Sequence, residues 1–333
     1  MQRRILVLVF SVLLLFSSKV TAQDAHFSQF FANPIYLNPA FAGTHVCPRI
    51  ALQFRDQWPS MPSTYMTYTA SYDQHFDKIN GGIGVILYGD RAGLGTINTY
   101  SANFMYSFRI KMSNKFEMRL ALQAGYQQKT LNWDKLYFGD MIDPKFGFVY
   151  GTQEIRPDNL TSHIFDMSAG FVGYSEHIYF GAAAHHMTNP YEGFLSNAGS
   201  RLPVKWTGHF GSYIDLKRKS KKERSFGDLA ISPNIIYQQQ GQFYYLNTGF
   251  YFNFYPFTVG LWLRNNFMNK DWVDALIFSA GIQYDWIRVG YSYDITLGGL
   301  MNHSGGAHEA SIQFLLRCPE NVKRIKDLKC PSF

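Results

Sequence analysis

Alternation with a period of two runs through this chain from residue 49 to residue 317, and few folds can accept it. Ala102, Phe104, Tyr106 and Phe108 are interleaved with Ser101, Asn103, Met105, Ser107 and Arg109. Phe116, Met118, Leu120, Leu122, Ala124 and Tyr126 alternate with a set that includes Glu117, Arg119, Gln123 and Gln127. Ile287, Val289, Tyr291 and Tyr293 oppose Arg288, Gly290, Ser292 and Asp294. A strand turns successive side chains to opposite faces, so each run predicts a strand with one apolar and one polar face. Fourteen such runs are visible: 49–57, 64–76, 82–90, 95–110, 115–132, 162–174, 178–187, 204–216, 228–239, 243–253, 256–266, 273–284, 287–295 and 308–317. Most reach the roughly 9–11 residues that a tilted strand needs to cross a bilayer.

Two architectures bury one face of many antiparallel strands. A soluble sandwich turns the apolar faces inward, whereas a membrane barrel turns them to lipid and keeps the polar faces in the lumen. Three features favour the barrel. The runs exceed the usual sandwich strand of about 5–6 residues. The polar faces carry Arg55, Arg109, Arg119, Arg264, Arg288, Glu117, Asp166, Asp215 and Glu309, too many charges for a dry core. The connections also sort by length: the three longest, 133–161, 188–203 and 296–307, fall at one end, as bacterial outer-membrane barrels require. Charged residues make up 17% of the chain and aromatic residues another 17%, which excludes a disordered tail, a collagen-like fibre and a coiled coil. Leu229 to Leu263 carries no charge, but Gln238-Gln239-Gln240-Gly241-Gln242 lies within it and predicts a hairpin rather than a membrane helix. The fold class is therefore all-β: a transmembrane antiparallel barrel over residues 46–317, multi-pass in the outer membrane and facing outer-membrane lipid.

Residues 1–22 read as a signal peptide, with basic Arg3 and Arg4, an apolar run from Ile5 to Phe16, and small residues before Gln23. Their removal takes the formal net charge from +7 to +4, and no basic face suggests a nucleic-acid partner. Residues 23–45 form an N-terminal periplasmic segment, predicted to pack against the periplasmic mouth or the lower lumen. There Asp24 can cap a short helix carrying Phe27, Phe30 and Phe31 and ending before Pro34. Asn38-Pro39-Ala40-Phe41-Ala42-Gly43 follows, with turn residues at both ends. Residues 318–333 are a periplasmic tail. Cys47 and Cys318 flank the first and last strands, which are neighbours in a closed barrel and sit at its periplasmic rim in an oxidising compartment. Topology ranks a Cys47–Cys318 disulfide first, and proximity ranks Cys318–Cys330 second.

No catalytic motif, cofactor site or metal site stands out, and the chain reads as no enzyme. His185 and His186 are adjacent in a strand and would point to opposite faces. His303 and His308-Glu309 share an outer loop and read as solvated residues. The lumenal charges read as a salt-bridge network rather than a selectivity ring. One inner connection is strongly basic, with Lys217, Arg218, Lys219, Lys221, Lys222 and Arg224. It is either a solvated charge run or a dock for an acidic periplasmic face.

Several blocks in order resemble the PorP/SprF membrane proteins of the type IX secretion system in the Bacteroidota. They include Gln29, Asn33 and Asn38-Pro39-Ala40-Phe41-Ala42-Gly43, then Arg55-Asp56-Gln57-Trp58-Pro59, Ser71-Tyr72-Asp73 and Gly82-Ile83-Gly84. Phe138-Gly139-Asp140, His186-Met187-Thr188-Asn189-Pro190, Gly290-Tyr291-Ser292-Tyr293-Asp294 and Ser304-Gly305-Gly306-Ala307-His308-Glu309 continue the series. The resemblance implies a barrel that serves protein export, associated with a periplasmic lipoprotein ring. It also implies support for the secretion or surface anchoring of a large adhesin, including in gliding motility, and it carries over no catalytic residue. Two other readings compete. One is a channel for small or hydrophobic molecules, a class that shares fourteen strands and an Asn-Pro-Ala segment, although residues 23–45 are too few for a full hatch domain. The other is a lipid hydrolase, which would need a Ser-His pair that no spacing here demands.

Overall fold

A computed structural model describes residues 23–45, 47–62, 65–93, 96–194, 200–217, 228–267, 272–297, 301 and 303–318. The leader, the basic run beyond Lys217, Cys330 and the tail from 319 lie outside the described residues.

Fourteen antiparallel strands form the wall. They are β1 Arg49–Gln57, β2 Tyr65–Phe76, β3 Gly81–Ala92, β4 Ile97–Lys111, β5 Glu117–Leu131, β6 Thr161–Tyr174 and β7 Ile178–His185. The chain continues with β8 Lys205–Ser212, extended past Tyr213 by Ile214–Lys217, then β9 Leu229–Gln240, β10 Phe243–Phe254 and β11 Phe257–Asn266. β12 Val273–Tyr284, β13 Ile287–Thr296 and β14 Ala307–Leu315 complete the set. Every strand lies within two residues of its sequence-predicted span, because the alternation that predicts it is a local property of the strand. Each pairs with its chain neighbours, and β1 closes on β14 in unbroken register from Arg49↔Leu315 to Gln57↔Ala307. Among the described residues every strand of the wall is thus paired on both sides, the condition for strands in hydrocarbon. Leu87, Phe104, Leu122, Phe165 and Phe252 project outward and are exposed to the bilayer, while Arg55, Thr69, Asp73, Asn247 and Glu309 are buried on the inside.

Both strand termini lie at the end with the tight turns, here termed periplasmic. Asn80, with φ 46°, and the pair Asp285-Trp286 make two of these turns. At the outer end the connection between β5 and β6 folds on itself through a two-rung hairpin, Ile142–Asp143 against Gly147–Phe148.

Residues 23–43 are inside the barrel. Though short, this segment fills the lumen along its length, from the outer half at Asp24 to the periplasmic rim at Gly43. It is therefore not confined to the periplasmic mouth or lower lumen where the sequence placed it. Its helix is also displaced. No helix covers 24–33, and one turn runs instead over Pro34–Leu37, followed by a 3-10 turn over Pro39–Phe41. Proline has the helical φ and lacks the amide proton that a first turn leaves unpaired, so it starts this helix. Upstream, the amides of Asp24, Ser28 and Gln29 donate to wall acceptors instead of to a helix. At the base, Cys47 and Cys318 are joined by a disulfide, with Cα atoms 4.4 Å apart.

Candidate functional site

The wall holds the plug by polar contacts from the outer half downward. Glu309 on β14 accepts the backbone N–H of Ser28 at 2.7 Å and of Gln29 at 2.8 Å. Gln53 donates to the same carboxylate at 2.6 Å, and Arg55 at 3.1 Å. Arg55 also reaches Asp294 at 2.8 Å, and Arg264 approaches that carboxylate at 3.2 Å. Both guanidinium groups donate to the Ser28 hydroxyl, at 2.8 and 2.6 Å. All four charged side chains are almost wholly buried. Two positive and two negative charges compensate one another here and bond through most of their polar atoms, with Arg55 Nε and one Asp294 oxygen left over, which is close to the terms on which ions leave water. The lumenal charges thus form a network, and its central partner is the plug backbone.

Below this layer aromatic packing joins the polar contacts, which continue where Asn33 donates to Thr69 and accepts from Ser71, and where Gln313 donates to the Ala32 carbonyl. Phe30 packs on Trp262 with ring centroids 4.9 Å apart, Phe31 lies between Tyr179 and Tyr251, and Phe41 stacks on His209 at 5.0 Å. Ile86, Met105, Ile236, Trp262 and Ile277 supply the wall side. These are the residues that break the polar pattern on the lumenal faces. That departure was the sequence signal for an apolar filler.

The Asn38-to-Gly43 motif seats the lower plug. The Asn38 side chain accepts the Ala40 N–H at 2.9 Å and donates to the carbonyls of Phe171 and Ala182 at 2.9 and 3.1 Å. Pro39 starts the 3-10 turn, and Ala40 is completely buried. Gly43 takes φ 65°, donates its N–H to Asp73 at 2.9 Å and runs so close to Gly82 that a side chain on either would strike the other's backbone. Arg49 pairs with Asp73 at 2.8 Å, linking the motif to the start of β1.

Beside the outer half of the plug, between it and strands β3 to β8, lies a cavity of about 230 Å³. His186 has φ 58° and leaves the strand, so both His185 and His186 line this cavity and do not diverge as strict alternation predicted. The His186 ring lies between two carboxylates, 2.7 Å from Asp166 and 2.8 Å from Asp24. Burial alone would lower its pKa; the Asp24 and Asp166 carboxylates outweigh that and raise it to about 10. Lys205 lies 3.7 Å from Asp24, and Lys129 3.1 Å from Glu192. Tyr36 of the plug stacks on Tyr88 of β3, with centroids 6.0 Å apart and planes 11° from parallel. Sequence reasoning missed this cavity because its residues come from the plug, six strands and an outer loop.

Other expected positions separate. Lys217 is exposed at the periplasmic end of β8, while Arg218, Lys219, Lys221, Lys222 and Arg224 lie outside the described residues. His308 and Glu309 go to opposite faces of β14: Glu309 binds the plug, and His308 accompanies Tyr291 and Tyr293. Among the described residues, no three His, Cys, Asp or Glu side chains are grouped to hold a metal ion.

Solved structures that this chain is similar to include the Ralstonia pickettii toluene transporter TbuX, at 9% identity and TM-score 0.45, covering 84% of this chain and 90% of that one. The TodX deltaS2S3 mutant monoaromatic hydrocarbon channel shares 11% identity at TM-score 0.46, with 84% and 92% covered. The KdgM porin shares 8% at TM-score 0.35, with 81% and 99% covered. No curated protein sequence matches the chain. The model of one family, described as type IX secretion system membrane protein PorP/SprF, matches residues 19–314. With its closed wall and lipid-facing apolar surface the chain is an outer-membrane β-barrel, and it belongs to the PorP/SprF family of type IX secretion system membrane proteins.

Proposed function

We propose that this barrel is a non-catalytic accessory of type IX secretion that supports the export or surface anchoring of a large adhesin, including where that adhesin drives gliding motility. Family membership supports the secretion role. The observation that carries the accessory role is the filled lumen: from Asp24 to Gly43 the chain's own N-terminal segment occupies the space a conduit would need. The barrel then works through its rims and loops, with the adhesin outside and the lipoprotein ring beneath. Affinity purification from membranes tests this. Co-recovery of a large surface protein and of periplasmic lipoproteins is expected. Recovery of neither, with passage of small solutes through the reconstituted protein, would overturn the reading in favour of a channel.

The basic run offers the periplasmic contact. Lys217 is exposed at its head, and charge-steered contacts weaken with salt. Reversing four charges among Arg218, Lys219, Lys221, Lys222 and Arg224 is expected to reduce lipoprotein recovery in low salt without loss of the barrel. Unchanged recovery would remove the run from the interface.

A further inference from the structure

We infer that the outer cavity is a receptor site for a cationic side chain, arginine above all, presented by a polypeptide at the cell surface. The class of ligand follows from the charges around the cavity. Four carboxylates line it, Asp24, Asp90, Asp166 and Glu192. Glu192 has Lys129 at 3.1 Å, Asp24 has Lys205 at 3.7 Å, and His186 is shared by Asp24 and Asp166. Asp90 accepts one hydrogen bond, from the Thr67 hydroxyl at 2.7 Å. Among the described residues no cation stands within ion-pair distance of it. The cavity is thus one positive charge short, and the shortfall sits on one carboxylate.

Shape narrows the choice further. Tyr88 lies two residues before Asp90 on the same face of β3 and is stacked on Tyr36. The Lys205 ammonium already stands 5.4 Å from the Tyr36 ring centre, so this aromatic pair accepts cations. A guanidinium group can stack on an aromatic face while donating two parallel hydrogen bonds to a carboxylate. Asn103, Gln123 and Gln127 add side-chain amides to the wall. The volume of about 230 Å³ equals that of roughly seven or eight waters at about 30 Å³ each, room for one long side chain and not for a folded domain.

That the side chain belongs to a surface polypeptide rests on the proposed function; the site itself does not. The test is calorimetry on the detergent-solubilised full-length barrel with N-acetyl-argininamide, with N-acetyl-citrullinamide as the neutral probe of similar shape. The argininamide is expected to bind, more weakly as salt rises, and the citrulline probe at least about tenfold less. Asp90→Asn, which keeps the shape, is expected to lose at least about tenfold while retaining the heat-modifiable mobility of a folded barrel. Equal binding of both probes, no binding of argininamide, undiminished binding to a folded Asp90→Asn barrel, or preferential binding of a neutral hexose would each overturn the assignment. The citrulline comparison needs no variant and decides the matter even where Asp90→Asn does not fold. Failure here leaves co-purification of an adhesin untouched, and failure of that co-purification leaves this binding intact.

Discussion

Glu309 shows how one side chain organises a lumen. It takes two plug amides, the Gln53 amide and Arg55 in a site closed to water. Glu309→Ala leaves the buried Arg55 with Asp294 as its remaining anion, and uncompensated buried charge costs about 3–5 kcal/mol. Urea unfolding of the detergent-solubilised barrel is expected to show a loss of that size, and protease is expected to reach residues 24–31. His186 acts at the outer edge of the plug, facing Asp24 from the plug, Asp166 from β6 and, through Asp24, Lys205 from β8. Its pKa is raised to about 10, above the ordinary 6.5. The charged ring therefore holds the plug in full below pH 6.5, and its contribution declines from there until it is lost as the pH passes about 10. A spin label on Gln23→Cys, in a Cys330→Ser background, is expected to be immobile at pH 6 and mobile at pH 10. His186→Gln removes that dependence. A label equally immobile at both pH values would show that the clasp does not hold this end.

The plug is an element without a regular element's hydrogen bonds. Its backbone donors are satisfied by side chains such as Glu309, Asp73 and Gln240, and its aromatic residues by the inward-facing Trp262, Tyr179 and Tyr251. Deleting 24–36 removes Phe27, Phe30, Phe31 and Ile35, but none of the wall's own ladder bonds. The barrel is expected to persist with a water-filled lumen, read as a rise in single-channel conductance in planar bilayers. Unchanged conductance would mean that the outer loops or the remaining turn at Asn38 still seal it.

For the whole molecule, closure depends on the seam between β1 and β14. Nine residue pairs join the two strands, and the Cys47–Cys318 disulfide closes a loop with sequence separation 271 at the same rim. Because the plug runs directly into β1, the disulfide also fixes the plug's base relative to β14. Chain-entropy models assign about 5–6 kcal/mol to a loop of that length, reduced by any structure in the unfolded chain. Peptide mapping of the non-reduced protein is expected to recover Cys47 and Cys318 together. Cys318 linked to Cys330, with Cys47 alkylatable, would leave the seam to its backbone hydrogen bonds.

The wall was legible because its information is local. Alternation along Ile287 to Asp294 or Ser101 to Arg109 specifies a strand and its two faces without reference to distant residues, and the sorting of loop lengths orients the set. The plug was legible only in outline. Its aromatic content showed that 24–43 must be covered, but not how far it reaches into the barrel. Ser28 finds Glu309 across 281 positions and Asp24 finds His186 across 162. Those partners also override the local helix signal of 24–33, because a wall acceptor satisfies an amide as well as a helical carbonyl does. His186 leaves its strand for the same reason, with a carboxylate on each side of its ring. What the sequence determined by itself was the barrel, since strand pairing follows from a repeated local pattern. What only the tertiary structure decided was the interior, since buried charges are matched wherever closure brings them together.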